Sequence, residues 1–241
     1  MECPRSSGPE VFRLVTHPLR RSTDRGGTPG RDTVSLVVLV DPGDPDPGRF
    51  LDRLPGSVDE VVTVEAPGPG RPHRWPDIAW GDRIVLIQAD GSMSPDDIPH
   101  FLYYLDHGFD FVKGSRFIAG GECTAYPPLR RMGHRFLLVT ARCLYGQQLT
   151  DVWYGFCAFR REFLPLLEEQ PEPPELVGPE IVVHALHYGL RIAEVPSREA
   201  PGPARKTTAR TFHEGRRILR VLWRERPRNA LLRLVARHRR G

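Results

Sequence analysis

Arg83-Ile84-Val85-Leu86-Ile87-Gln88-Ala89-Asp90-Gly91-Ser92-Met93-Ser94-Pro95-Asp96-Asp97 is the stretch whose reading decides the fold. Ile84 to Ile87 form an unbroken apolar run suited to a strand covered on both faces. Asp90-Gly91 supplies a turn. Ser94 then reads as a helix N-cap, Pro95 as a first-turn residue, and Asp96 and Asp97 as acids facing the positive end of the helix dipole. Ile98, Phe101, Leu102 and Leu105 place one apolar stripe on that helix. A buried strand, a turn and an amphipathic helix make the repeating unit of an α/β domain. In such domains ligands sit beyond the carboxyl ends of the strands.

The pattern repeats on either side. Val34 to Val40 is a β-branched run ending in the turn cluster Asp41-Pro42-Gly43-Asp44, and Phe50, Leu51 and Leu54 follow at helical spacing. Val58 to Val64 reads as a second strand, after which Ala66 to Pro76 is a Pro- and Gly-rich loop. Phe109 to Lys113 predicts a further strand that closes on Gly114-Ser115-Arg116-Phe117. Beyond it, helices are expected at Arg130 to Leu144 and Glu180 to Tyr188. Strands are expected at Tyr154 to Phe159 and Leu190 to Val195. A mostly parallel sheet follows from this alternation.

Composition bounds the rest. A chain of 241 residues with 39% hydrophobic content builds one good core plus tails. Residues 1–32, rich in Pro, Gly, Ser and Arg, read as a disordered extension. Residues 33–202 carry the alternating elements, and 203–241 form a basic amphipathic helical tail. The tail holds thirteen Lys/Arg against two acids, a surplus of +11, so the remainder carries −7 within the overall +4. Phe212, Ile218, Leu219 and Leu222 share one face of a helix ending near Arg224, Pro227 breaks it, and Asn229 to Arg239 restarts it. Two readings stay open for this tail: an interfacial helix on anionic lipid, or a helix packed on the domain with a solvated arginine face. No recognised nucleic-acid module accompanies it, so no nucleic-acid partner is expected.

No run reaches the roughly 18 apolar residues that span a bilayer, and Met1-Glu2-Cys3-Pro4-Arg5 lacks the apolar core of a secretory signal. The expectation is an intracellular, cytoplasmic protein, peripheral on the inner face of the cell membrane. Cys3, Cys123, Cys143 and Cys157 contain no Cys-x-x-Cys pair, which argues against a zinc knuckle and a disulfide framework.

A strand ending in Gln88-Ala89-Asp90-Gly91 has two uses. It is a plain turn, or it is a terminus where side-chain oxygens hold Mg²⁺ or Mn²⁺ against the two phosphates of a nucleotide-sugar. The wider pattern favours the second. Ile84 to Ser92 with Pro95 and Ile98, Phe111 to Phe117, Pro128 to Gly133, Thr150 to Phe156, Gly189 to Pro196, and Phe212 to Gly215 occur in order over about 130 residues. Together they resemble the polyprenol-phosphate (dolichol-phosphate mannosyltransferase-like) branch of glycosyltransferase family 2.

That resemblance implies a GT-A-type, Rossmann-like nucleotide-diphospho-sugar transferase fold. It also implies transfer, with inversion, of a sugar from a nucleoside diphosphate to a polyprenyl-phosphate-like lipid. Asp90 matches the principal metal ligand of the family, Gln88 stands in place of a first Asp, and Ser92 stands where a further polar ligand is expected. Arg116, Arg130 and Arg131 match phosphate-contacting arginines, with a solvated basic loop as the alternative. Asp151 matches an acid near the reaction centre and reads equally as a local cap. Trp153 and Tyr154 either line the acceptor site or fill the core.

The front half departs from the pattern. Only 57 residues run from Val34 to Asp90, about one βα unit fewer than the family uses. Asp41 and Glu65 stand at the nucleotide-reading positions, and Lys206 is displaced by two residues from the family's lysine. These departures leave a second reading open: a homologue that kept the fold and reduced or lost the reaction, acting as a binding or accessory protein.

Overall fold

The structure is a computed structural model, and it describes residues 16–17, 31–40, 53–65, 79–123, 128–165, 179–200 and 208–224. Nine strands lie among the described residues: β1 (Thr16–His17), β2 (Val34–Val40), β3 (Glu60–Glu65), β4 (Arg83–Gln88), β5 (Phe111–Ser115), β6 (Glu122–Cys123), β7 (Cys157–Arg160), β8 (Ile192–Pro196) and β9 (Arg198–Glu199). The α-helices that matter to the site are α1 (Ile98–Asp106), α2 (Pro128–Tyr145), α3 (Pro179–His187) and α4 (Thr208–Arg224).

The main sheet has the order β1-β3-β2-β4-β7-β5-β8. β2 runs parallel to β3 and β4, and β5 runs parallel to β8. β7 lies between β4 and β5, antiparallel to both. β4 and β5 therefore point the same way, and the chain enters β7 at the edge where they end. The expected parallel sheet is thus interrupted at its centre. Cys157-Ala158-Phe159 is apolar and fully buried, and such a run fits the interior in either direction.

Alternation along the strands builds two cores, one on each face of the sheet. Leu36, Val38, Val85, Ile87 and Val112 face α1, whose Ile98, Phe101, Leu102 and Leu105 are all buried, as the stripe predicts. Val37, Leu39, Ile84, Leu86 and Phe111 face the other way, against Leu137, Ala141 and Leu144 of α2, Ile181 to Val183 of α3, and Ile218 and Leu222 of α4. Phe101 stacks on Phe156 with ring centroids 4.2 Å apart, and truncating such a ring costs about 3–5 kcal/mol.

The start of α1 also follows its sequence signals. Ser94 caps the short 3-10 turn Pro95–Asp97, its Oγ accepting from the Asp96 N–H at 3.3 Å, and α1 follows directly. At the front, Thr16–His17 pairs antiparallel with Val61 and Val62 inside the stretch read as a disordered extension. Arg31 donates to Asp59, and Asp32 accepts from Arg83. Ordered contacts therefore reach back across the boundary expected at residue 33; two-residue pairings and single ion pairs leave no periodicity to read. The restart at Asn229 to Arg239 and the helical spacing of Phe50 and Leu51 lie outside the described residues.

Candidate active site

The carboxyl edge of the sheet collects the functional side chains. β4 ends at Gln88, and Ala89 stays tied to the sheet by its N–H, which donates to the Leu39 carbonyl at 2.8 Å. The chain then turns through Asp90-Gly91-Ser92. Gly91 has φ +75°, a left-handed conformation that admits a side chain only with strain. Asp90 Oδ1 accepts from the Ser92 N–H at 2.9 Å and from the Ser92 hydroxyl at 2.6 Å. Ser92 is buried and Gln88 and Asp90 are half-buried, so the three predicted metal-site residues sit together in one tight turn.

A carboxylate, an amide carbonyl and a hydroxyl form an all-oxygen set of the kind that suits Mg²⁺ or Mn²⁺. With one carboxylate, it fits an ion that takes its remaining ligands from a diphosphate and water. Among the described residues, no group of three or more His, Cys, Asp or Glu side chains is placed to hold a metal.

Two strands away, Arg116 directly follows the end of β5, and its partner is Asp151 on the loop entering β7. The guanidinium grips the carboxylate twice, Nε to Oδ2 at 2.7 Å and one terminal nitrogen to Oδ1 at 3.2 Å. Its other terminal nitrogen donates to both oxygens of Glu199 at 3.1 Å. Asp151 also accepts from the backbone N–H groups of Trp153 at 3.0 Å, Tyr154 at 3.2 Å and Arg116 at 3.3 Å. It is therefore at once a local cap and the anchor of Arg116. Fully buried and surrounded by donors, its carboxylate holds the Arg116 guanidinium in place.

A second buried charge completes the cluster. Lys113 is fully buried on β5; its ammonium donates to the Gly114 carbonyl at 2.8 Å and to the Asp151 carbonyl, and lies 3.8 Å from Glu194. Glu194 in turn accepts from the Thr150 N–H and hydroxyl, each at 2.8 Å, and from the Asp151 N–H at 3.1 Å. Burial alone would raise the Asp151 carboxyl, but Lys113 and Arg116 outweigh it and hold it well below the usual carboxylate range. Burial lowers the Lys113 ammonium, opposed by Asp151 and Glu194. The fully buried Cys157 thiol is pushed up to about 12 by desolvation, so it is inert.

The turn and the cluster are joined. The Ala200 N–H donates to the Ser92 carbonyl at 3.0 Å, one residue beyond the Glu199 that holds Arg116. Arg116 also lies 5.0 Å from the Tyr154 ring centroid, and Tyr154 packs in the same core cluster as Ala89 and Met93. Trp153 and Tyr154 are both buried, the core-filling alternative of the two open for them. Gly114 is obligatory here: a Cβ would come within 2.8 Å of the Tyr154 ring and of Ser197 Oγ.

Arg131 is exposed on the first turns of α2. Arg130 lies in that helix and Glu65 at the end of β3, with side chains outside the described residues; Asp41 and Lys206 lie wholly outside them. Lys113, Glu194, Glu199 and His134, whose Nε2 is 3.4 Å from Asp151, were not singled out by their sequence positions. A lysine inside the buried strand Phe111-Val112-Lys113 was the available signal, because a buried ammonium demands acidic partners.

Residues 77–166 match the model for "Glycosyl transferase family 2". This segment is similar to glycosyltransferase family 2. The chain is 27% identical over 172 residues to a polyprenol monophosphomannose synthase of Mycolicibacterium smegmatis, covering 66% of this chain and 64% of that one. It thus spans just under two thirds of that relative. It is 28% identical over 198 residues to an undecaprenyl-phosphate mannosyltransferase of Micrococcus luteus, covering 78% and 79%. In architecture it resembles glucosyl-3-phosphoglycerate synthase from Mycobacterium tuberculosis, solved in complex with Mg²⁺ and uridine-diphosphate, with TM-score 0.62 and 17% identity over 80% of this chain and 79% of that one. The fold is the expected GT-A type.

Proposed function

We propose that this family 2 domain transfers a sugar, with inversion, from a nucleoside-diphosphate donor to a polyprenyl-phosphate-like acceptor. The observation that carries the reading is the juxtaposition on one sheet edge of the Gln88–Ser92 turn and the Arg116–Asp151 pair. The names of the M. smegmatis and M. luteus relatives support a polyprenyl-phosphate acceptor.

In this reaction an acceptor phosphate oxygen attacks the anomeric carbon from the face opposite the diphosphate. The carbon–oxygen bond to the diphosphate breaks, and its electron pair leaves with the diphosphate. The nucleophile is already anionic, so no strong base is needed; the protein's task is alignment and charge stabilisation. Asp90, with Gln88 and Ser92 beside it, would hold Mg²⁺ or Mn²⁺, which neutralises charge on the diphosphate when bound. Arg116 contributes a fixed positive charge at the same edge, its plane set by Asp151 and Glu199. Arg130 and Arg131, at the start of α2, are the further candidates for phosphate contact. Asp41 and Glu65 belong to the nucleotide end, and Lys206 to the diphosphate.

The basic segment 203–241 would sit against anionic lipid at the inner face of the cell membrane, bringing the site to a lipid-linked acceptor. No helix among the described residues is long and apolar enough to cross a membrane. One observation favours the second reading, a fold retained with the reaction reduced: the metal turn offers a single carboxylate.

A thermal-shift screen of UDP-, GDP- and dTDP-sugars with Mn²⁺ separates the two. Metal-dependent stabilisation by one donor, absent in Asp90→Ala, is the expected result; at a hundredfold excess over Kd it amounts to about 2.7 kcal/mol. Indifference to every donor would leave the accessory reading standing.

A further inference from the structure

Arg116 is held unevenly. Asp151 takes Nε and one terminal nitrogen at 2.7 and 3.2 Å, the two-bond fork that makes arginine–carboxylate pairs strong. The other terminal nitrogen, Nη1, is shared between both oxygens of Glu199, each at 3.1 Å. One nitrogen divided between two acceptors is the weaker arrangement. The settings differ too. The Asp151 side chain is wholly buried, whereas that of Glu199 is 26% exposed.

The element carrying Glu199 is slight. β9 is two residues long and pairs with the equally short β6. Its other ties are the Ala200 N–H on the Ser92 carbonyl at 3.0 Å, the Glu122 N–H on the Ser197 carbonyl at 3.1 Å, and the Cys123 thiol on Glu199 Oε2 at 2.9 Å. Residues 197–200 contribute no side chain to either apolar core, and a segment with so few apolar contacts opens readily. Charge gives it a reason to open. Among the described side chains of the cluster, the carboxylates of Asp151, Glu194 and Glu199 face the cations of Lys113 and Arg116, one negative charge in excess. As it stands the cluster repels an anion. With Glu199 withdrawn the excess is cancelled, Nη1 is uncovered, and Asp151 still orients the guanidinium. Beside the pair, the Tyr154 hydroxyl and Asp97 Oδ2 are buried without a hydrogen-bond partner among the described residues. Buried polar groups are normally bonded, so the arrangement with Glu199 in place is incomplete.

We propose that Glu199 is the internal occupant of an anion site on Arg116, that a phosphate monoester displaces it, and that the exchange selects dianions over monoanions. A monoester phosphate carries about two negative charges near neutral pH and three acceptor oxygens, more than one carboxylate offers Nη1. A phosphodiester or a carboxylate brings a single charge and gains nothing by the exchange. A polyprenyl phosphate is of the first class, so the inference deepens the proposed transfer and rests on its acceptor assignment. Because Ala200 is bonded to Ser92, release of Glu199 is also transmitted to the Asp90 turn.

The test is calorimetric titration of the full chain in EDTA, which keeps metal-bound phosphate out of the measurement. The probes are inorganic phosphate and dimethylallyl phosphate as dianions, and dimethyl phosphate and acetate as monoanions. Wild type is expected to bind the dianions at least about tenfold more tightly than the monoanions. Glu199→Gln should bind the dianions about tenfold more tightly than wild type and discriminate less, while being the less stable protein. A residue that only supported the fold would lower affinity and stability together. Amide hydrogen exchange at Glu122 and Ala200 should quicken when wild type is saturated with phosphate, a readout that needs no variant. Tighter binding of dimethylallyl phosphate than of inorganic phosphate assigns the site to the lipid-linked acceptor, and parity assigns it to free phosphate; both support the displacement. No binding of either dianion, equal binding of monoanions by wild type, no gain in Glu199→Gln, or unchanged exchange would each overturn it. Donor-induced thermal shifts on the same proteins keep the two readings apart. A donor shift without a phosphate response removes this inference and leaves the transferase. A phosphate response without a donor shift leaves the anion site and removes the transferase.

Discussion

The Gln88–Ser92 turn and the Arg116–Asp151 cluster share one edge of the sheet but are built on opposite principles. The turn is local: three residues, one hydrogen-bonded loop and a left-handed glycine, with side chains that are partly open. The cluster is global. Lys113, Arg116, Asp151, Glu194 and Glu199 come from different strands and loops, with Arg116 and Glu199 bonded across 83 residues, and their charged groups are buried or partly buried and multiply bonded. A group that must accept an incoming ion stays under-committed, whereas a group that must hold its orientation is fully committed. The difference predicts that the two regions fail differently when cut.

The largest effect belongs to the cluster. Asp151→Ala removes the buried carboxylate that binds Arg116 and balances Lys113 in the interior, and a loss of about 3–5 kcal/mol is expected from chemical denaturation. Its pH dependence has a definite sign. The folded-state carboxyl lies below its unfolded value of about 3.9, so its stabilisation is fully present above that value. It is lost as pH falls through the folded-state value. Wild type should therefore weaken progressively in acid through this group, and Asp151→Asn should lack that component in denaturation series run from neutral to acid pH.

Asp90→Ala should do the reverse. Turnover with the donor found by the screen should fall about a hundredfold to a thousandfold, while stability falls by only about 1 kcal/mol through the lost hydrogen bonds to Ser92. A comparable loss of stability in both variants would erase the distinction between the two regions. Glu199→Gln, at the joint between them, should cost about 1–2 kcal/mol in denaturation, because it weakens one charged pair but leaves Asp151 on Arg116. Gln88→Asp is the gentlest change. By adding a carboxylate to the turn it should tighten Mn²⁺ severalfold in a calorimetric titration and leave the melt unaltered.

The same contrast explains what could be read in advance. β2, β4 and α1 were legible because their signals are local: β-branched runs, a Ser cap, a Pro in the first turn, a stripe at helical spacing. The Asp90 turn was legible for that reason too. Arg116 and Asp151 were named from motifs, but their pairing was not, since they lie 35 residues apart and only folding brings them together. Glu194 and Glu199 look like ordinary polar positions of an edge strand until Lys113 and Arg116 are seen facing them. The direction of β7 was hidden by its uniformly apolar sequence, and β1, β6 and β9 are each two residues long, too short for any period.

The reversed strand at the centre of the sheet has an evolutionary consequence. Because β7 runs against its neighbours, the segment entering it, residues 146–156, reaches the same rim as the segments leaving β4 and β5. One rim thus takes independent contributions from connections that can lengthen or vary separately. A lineage carrying this architecture can remodel what stands opposite the turn after β4 by editing that single entry segment, with the turn itself inherited unchanged.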